Sequence, residues 1–234
     1  MPRRTLSNPL ALAVLSCLFE RPMHPYEVST TLKRRRKDDS IKLNYGTLYS
    51  VVASLEKRGL IVAEGTSQEG NRPQRTVYAI TADGEDQLVD SLRELLSTPS
   101  KEYPALEAAL SLMPVLPPEA VATLLQDRAV RLAGQIAALE AEAAEAVKLG
   151  LPRLLAIESE YALAILRAER EFVDSLRADI ESRTLGGYDF WARLHELRAA
   201  GVTPGDIQEN PTKYFAKEDV DWIARVNEAI PTPE

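Results

Sequence analysis

Apolar residues Leu10, Leu12, Val14, Leu15, Leu18 and Phe19 recur at helical spacing behind Ser7-Asn8, and Pro9 suits a first helical turn. Arg21 to Pro25 ends that helix, and Tyr26, Val28, Thr31 and Leu32 begin a second that runs into the basic stretch Lys33 to Lys37. Beyond Asp38-Asp39-Ser40, a third stripe formed by Tyr45, Leu48, Tyr49, Val52 and Leu55 closes at Arg58-Gly59, a basic last turn with a glycine stop. The pattern then changes period. Leu60 to Glu64 and Arg75 to Thr81 carry the β-branched and aromatic content of strands, with a polar tract from Gly65 to Gln74 between them. Thr81-Ala82-Asp83-Gly84-Glu85 caps a further helix that extends through Leu96.

Downstream of Thr98-Pro99-Ser100 the strand signal disappears. A short helical segment from Tyr103 to Met113 precedes Pro117-Pro118-Glu119, where a long helix starts. Its apolar positions Leu125, Ala129, Leu132, Ile136, Leu139, Ala143 and Ala146 alternate spacings of four and three, which predicts a heptad seam. Gly150-Leu151-Pro152 breaks it, and Tyr161, Ile165, Ala168, Phe172, Leu176 and Ile180 carry the rhythm through a second long helix. Residues 186–234 are less regular, with two short helices expected near Phe190 to Ala199 and Glu218 to Ala229.

The fold expected is mainly α with a small β-hairpin wing: an N-terminal winged helix-turn-helix over residues 1–97, a long-helix dimerisation domain over 101–185, and a helical C-terminal extension over 186–234. Two helices facing each other leave flanking apolar positions such as Leu124, Val147, Leu163, Leu166 and Val173 without a partner, so a second copy of the same helices is expected to cover them. Leu132, Ile136, Leu139, Tyr161, Leu163, Ile165, Leu166, Phe172, Val173 and Leu176 are the expected contacts of that homodimer.

Charge sharpens this picture. Over 234 residues the net charge is −7, but residues 1–81 hold 13 Lys and Arg against 7 Asp and Glu, whereas the remainder holds 15 against 28. A +6 head on a −13 body is the asymmetry expected when one domain meets a polyanion. In a helix-turn-helix the N-terminal part of the second helix of the motif faces base edges. Here Asn44, Thr47 and Ser50 can hydrogen-bond bases, while Lys42, Tyr45 and Tyr49 reach phosphates and Leu48, Val52 and Leu55 face the core. The polar loop contributes Asn71, Arg72, Gln74 and Arg75, suited to phosphate or minor-groove contact.

Catalysis finds little support. The two histidines, His24 and His195, have no Cys or His neighbour at metal-ligand spacing, and no glycine-rich phosphate loop follows a strand. No metal or cofactor is expected. The single cysteine, Cys17, sits in an apolar run and reads as a small buried hydrophobe, and no stretch approaches the 18 apolar residues of a membrane span. A soluble, cytoplasmic protein is expected. A winged helix can also serve as a protein-docking module, but the cations Lys42, Arg72 and Arg75 flanking the reading surface favour DNA.

Three segments carry a family resemblance: Arg21-Pro22-Met23-His24-Pro25-Tyr26-Glu27-Val28, then Gly46-Thr47-Leu48-Tyr49 with Leu55-Glu56-Lys57-Arg58-Gly59-Leu60-Ile61, then Arg75 to Gly84. In order and spacing they resemble the PadR family of bacterial transcription regulators, and Pro117 to Arg183 is similar to that family's dimerising helices. The departures are Pro25, where glycine is common, and Ser50, where proline often follows the tyrosine. The resemblance implies a homodimer, usually a repressor, on a palindromic operator, often released by a small aromatic molecule. Tyr161, Phe190, Trp191 and Trp222 are the aromatic residues considered for such an effector pocket, with core packing as their other reading.

Overall fold

The computed structural model describes residues 6–67 and 75–216, together with 219–221 and 225. The chain forms two compact units, Met1–Glu102 and Tyr103–Glu234.

In the first unit, α1 (Pro9–Glu20) is the central helix, capped by the Asn8 side chain, which accepts from the Leu10 amide. Its residues from Leu10 to Leu15, with Cys17 and Leu18, are all buried. Around it pack α2 (Pro25–Arg34), α3 (Tyr45–Lys57) and α4 (Ala82–Ser97), and the side chains of Val14, Leu15, Val28, Leu48 and Leu55 are sealed from solvent. Each large aliphatic side chain buried there contributes about 1.5–3 kcal/mol. Burial pushes the Cys17 thiol above its ordinary pKa, which keeps it unreactive.

His24 caps α2, its ring nitrogen accepting from the Tyr26 amide while Glu27 accepts from the His24 amide, and Pro25 occupies the first turn, where its missing N–H costs nothing. The second helix is shorter than the sequence suggests. It stops at Arg34, because Arg36 adopts a left-handed conformation before a 3₁₀ turn at Lys37–Asp39.

β1 (Ile61–Ser67) pairs antiparallel with β2 (Arg75–Ile80), in register from Ile61 opposite Ile80, with a bulge between Ala63 and Gly65. Met23 exchanges two backbone hydrogen bonds with Tyr78 and so ties the α1–α2 turn to the hairpin, a pairing that no run of residues around Met23 announces. At the start of α4, Thr81 donates to the Gly59 carbonyl at 2.7 Å and accepts from the Gly84 amide at 3.1 Å. Farther along α4, the fully buried Ser91 hydroxyl accepts from the Leu6 amide at 3.0 Å and from Gln87 at 3.2 Å. Ser91→Ala should cost about 1–3 kcal/mol in urea unfolding because two buried donors lose their acceptor.

The second unit is helical. It comprises α5 (Ala105–Leu112), α6 (Pro118–Lys148), α7 (Ile157–Glu181), α8 (Tyr188–Ala199) and the short α9 (Pro204–Glu209) and α10 (Pro211–Tyr214). Along α6, Val121, Leu125, Ala129, Leu132 and Ile136 are buried, whereas Leu139 is only half-buried and Ala143 exposed. The predicted seam is thus covered over its first half. On α7 the helix-facing stripe differs from the one the spacing predicts: Val173 and Ile180 are the buried positions, with Leu166 and Leu176 packed against them. Tyr161, Ile165, Ala168 and Phe172 lie on the exposed side. Arg128 grips Glu169, and Arg167 reaches Glu140 at 2.6 Å, joining the same two helices by their edges.

α8 belongs to this core. Tyr188, Trp191 and Leu197 are buried, and the Trp191 indole N–H donates to the Leu116 carbonyl at 2.8 Å. The short helix expected near Glu218 to Ala229 lies largely outside the described residues, while α9 and α10, which the sequence pattern does not announce, precede it. Among the described residues no helix is long and apolar enough to cross a membrane.

Candidate nucleic-acid interface

α3 owes its placement to both of its ends. The Asn44 side chain accepts from the Thr47 amide at 2.7 Å and fixes the first turn. At the other end Gly59 takes φ +71°, so that its amide reaches the Glu56 carbonyl and the Leu60 amide reaches that of Leu55, a closure that leads directly into β1. Between these ends Leu48, Val51, Val52 and Leu55 anchor one face in the core.

The opposite face is solvent-exposed. Lys42, Asn44, Tyr45, Thr47, Tyr49 and Ser50 are all exposed, with Tyr45 at 47% and Tyr49 at 48%. Neither tyrosine is a core residue. Each keeps about half of its surface open to a partner outside the domain.

Two of the six have local duties beyond those expected from the sequence. The Asn44 carbonyl oxygen is engaged in the cap, which leaves its NH₂ group as the donor for an outside partner. The Ser50 hydroxyl donates back to the Gly46 carbonyl at 3.0 Å, so its oxygen remains an acceptor. The signal that could have announced the cap is Asn44 itself, an N-cap residue type directly before the apolar stripe that starts at Tyr45.

The cations divide as well. Lys33 holds its ammonium 4.9 Å from the centre of the Tyr45 ring, placing a positive charge beside the first turn of α3. Arg35, from the same basic run, forms two hydrogen bonds with Glu20 at the end of α1. That pairing holds the Glu20 carboxyl below its ordinary pKa. Arg35 therefore serves the scaffold and Lys33 the exposed face, a division invisible in five consecutive charges. Of the loop candidates, Asn71, Arg72 and Gln74 and the side chain of Arg75 lie outside the described residues; β1 and β2 bracket that loop.

Among the described aromatic residues considered for an effector pocket, Tyr161 is not brought together with Phe190 and Trp191. Trp191 is 6% exposed and sits in the core of the second unit, because its ring packs edge-on to Tyr188 and its N–H is satisfied. Phe190 packs on Phe215, ring centres 4.5 Å apart. Tyr161, 69% exposed, precedes Ile180 by about five helical turns, roughly 28 Å at 1.5 Å per residue, and so is remote from the end of α7 where α8 packs. Trp222 lies outside the described residues.

Comparison with known proteins agrees with this geometry. Residues 14–90 match the model of the transcriptional regulator PadR-like family. Among solved structures, Bacillus subtilis PadR in complex with operator DNA aligns at TM-score 0.58 and 16% identity, covering 73% of this chain and 98% of that one. The same protein in complex with p-coumaric acid aligns at 0.58 and 17%, covering 74% and 98%. A Streptococcus mutans protein aligns at 0.50 and 22%, covering 72% and 98%. At these identities the structures establish a shared fold. No curated protein sequence matches. Residues 14–90 thus match the PadR-like family model, and the chain shares its fold with PadR structures.

Proposed function

We propose that the protein is a sequence-specific DNA-binding repressor that acts as a homodimer on a palindromic operator and is released by a small aromatic molecule. The observation that carries the DNA reading is the two-sided α3: a face of Leu48, Val52 and Leu55 locked in the core, and an opposite face of Lys42, Asn44, Tyr45, Thr47, Tyr49 and Ser50 open to solvent within residues 1–81, whose net charge is +6. Exposed donors and acceptors on the first turns of such a helix read base edges, while the flanking cations pair with phosphates. Asn71, Arg72, Gln74 and Arg75 supply the wing in this reading. The operator-bound Bacillus subtilis structure, in which a protein of this fold meets DNA, supports it.

The dimer reading rests on apolar surface left uncovered on the long helices. Tyr161, Ile165 and Phe172 are each at least half exposed along one side of α7, and Leu124 and Val130 stand out on α6 at 54% and 60%. A second copy related by a two-fold axis covers such stripes and matches a palindrome, with half-sites about 34 Å apart or a multiple of that. Of the predicted dimer contacts, Tyr161, Ile165 and Phe172 keep that role. Leu139, Leu163, Leu166 and Leu176 are half-buried at its edge, whereas Leu132, Ile136 and Val173 are buried within one chain and so cannot supply it. The effector reading draws on the p-coumaric acid complex of the Bacillus subtilis protein.

The test is a salt titration by fluorescence anisotropy on an operator selected from genomic fragments. Binding should weaken steeply with salt, and Thr47→Ala with Tyr49→Ala should cost about 1–3 kcal/mol for each hydrogen bond to a base that is removed. Arg72→Ala with Arg75→Ala should flatten the salt slope by about two units if both meet phosphates. Salt-insensitive binding, or affinity unchanged in both double variants, overturns the DNA reading.

A further inference from the structure

The first unit carries a cleft of about 550 Å³ between the start of α1 and the C-terminal half of α3. Ser7 and Asn8 line one side, Ser54 and Arg58 the other, above an aliphatic floor that includes Leu6 and Leu55. Among the described residues no carboxylate lines it. Elsewhere on this unit Arg21, Arg35 and Arg93 each hold a carboxylate, from Glu27, Glu20 and Asp90. The exposed Arg58 side chain has no such partner among the described residues. The Ser7 and Ser54 hydroxyls are also without a hydrogen-bond partner there, and Asn8 spends only its carbonyl oxygen, on the Leu10 amide. A guanidinium, two hydroxyls and an amide NH₂ with no anion among them form a donor set for an anionic oxygen.

Position along α3 indicates which anion. Ser54 follows Thr47 by seven residues and Arg58 follows Ser54 by four, so the three share one side of the helix. At 1.5 Å per residue Ser54 lies about 10 Å farther along the axis than Thr47. The major groove is about 8.5 Å deep. A helix whose first turn reaches the base edges therefore carries Ser54 and Arg58 level with the phosphates of the groove wall.

We propose that this cleft holds one phosphate of the duplex backbone beside the bases that α3 meets. Arg58 supplies the charge, and Ser7, Asn8 and Ser54 donate hydrogen bonds to the phosphate oxygens. The inference rests on the DNA reading and adds to it a contact that fixes register without reading sequence.

The test titrates Arg58→Gln with salt, by fluorescence anisotropy, against the selected operator and against random duplex. The salt slope should flatten by about one unit, with the same several-fold loss of affinity on both duplexes, because a phosphate contact is blind to sequence. Ser54→Asp, which sets a carboxylate in the cleft, should weaken both by about tenfold or more. A neutral methylphosphonate walked along the operator should, at one position per half-site, weaken the wild type but not Arg58→Gln, a coupling that a loss of helix stability does not produce. Wild-type slope and affinity in Arg58→Gln, a loss confined to the operator, or equal methylphosphonate losses in wild type and variant at every position overturns the proposal and leaves the DNA reading standing. A wild-type protein without salt-dependent duplex binding overturns both.

Discussion

Val173→Asp should unfold the second unit, whereas the adjacent pair Ile165→Asp with Phe172→Asp should leave it folded and monomeric. Val173 is fully buried, packed among Leu125, Ala129 and Ile180 in the core between α6 and α7. A carboxylate there is taken out of water among aliphatic side chains, and an uncompensated buried charge costs about 3–5 kcal/mol, a large share of the stability of a unit this size. Ile165 and Phe172 are 51% and 50% exposed, so charges placed there are already in water within one chain. Their cost to folding should stay within about 0.5 kcal/mol each. In a dimer that covers the α7 stripe, the same charges become buried and unpaired. Circular dichroism against temperature reads the first effect, and sedimentation velocity at micromolar protein reads the second. A Val173→Asp protein with the wild-type melting curve contradicts the packing of α7. An Ile165→Asp and Phe172→Asp protein that still sediments as a dimer contradicts the proposed interface.

Gly84→Ala should be the most damaging single-methyl substitution in the first unit. A Cβ at Gly84 falls 2.0 Å from the Leu60 carbonyl oxygen and 2.8 Å from Ile80 Cγ1. The obstacle is backbone, and that same carbonyl accepts the Thr81 amide at 3.1 Å, so it cannot turn aside without losing a hydrogen bond. Separating α4 from the hairpin to make room should cost about 3 kcal/mol, at the upper end for overpacking. Gly134→Ala is the contrast, because nothing lies within 4 Å of its Cβ and it sits inside α6, where the change should stabilise by up to about 1 kcal/mol. Equal urea midpoints for Gly84→Ala and the wild type refute the close approach.

Gly84 was legible in the sequence only as part of a capping pattern, Thr81-Ala82-Asp83-Gly84. Its role as the point where a helix touches a strand end depends on Leu60, twenty-four residues earlier, and no local pattern contains that distance.

The elements themselves were largely written in the chain. Hydrophobic period, Ser7-Asn8 before the first helix, Gly59 as a stop and the change to β-branched residues after Leu60 are local signals, because helix ends and strand faces answer to near neighbours along the chain. The outward face of α3 was legible for the same reason: once Leu48, Val52 and Leu55 are assigned inward, a helix leaves the intervening residues outward.

The tertiary structure decided between alternatives that the local pattern left equivalent. α7 carries two apolar stripes, one through Leu166, Val173 and Ile180 and one through Tyr161, Ile165 and Phe172, and helical spacing does not say which meets α6. Volume decides. The close approach of α6 at Leu125, Ala129 and Leu132 takes the aliphatic stripe and leaves the large aromatic rings outside. Trp191 was likewise open between pocket and core until its N–H found the Leu116 carbonyl 75 positions away. Arg35 and Lys33, two residues apart in one basic run, were separated only by the position of Glu20 on α1. In each case the deciding partner is distant in sequence. Periodicity fixes which residues share a face, and only the packed chain determines what that face meets.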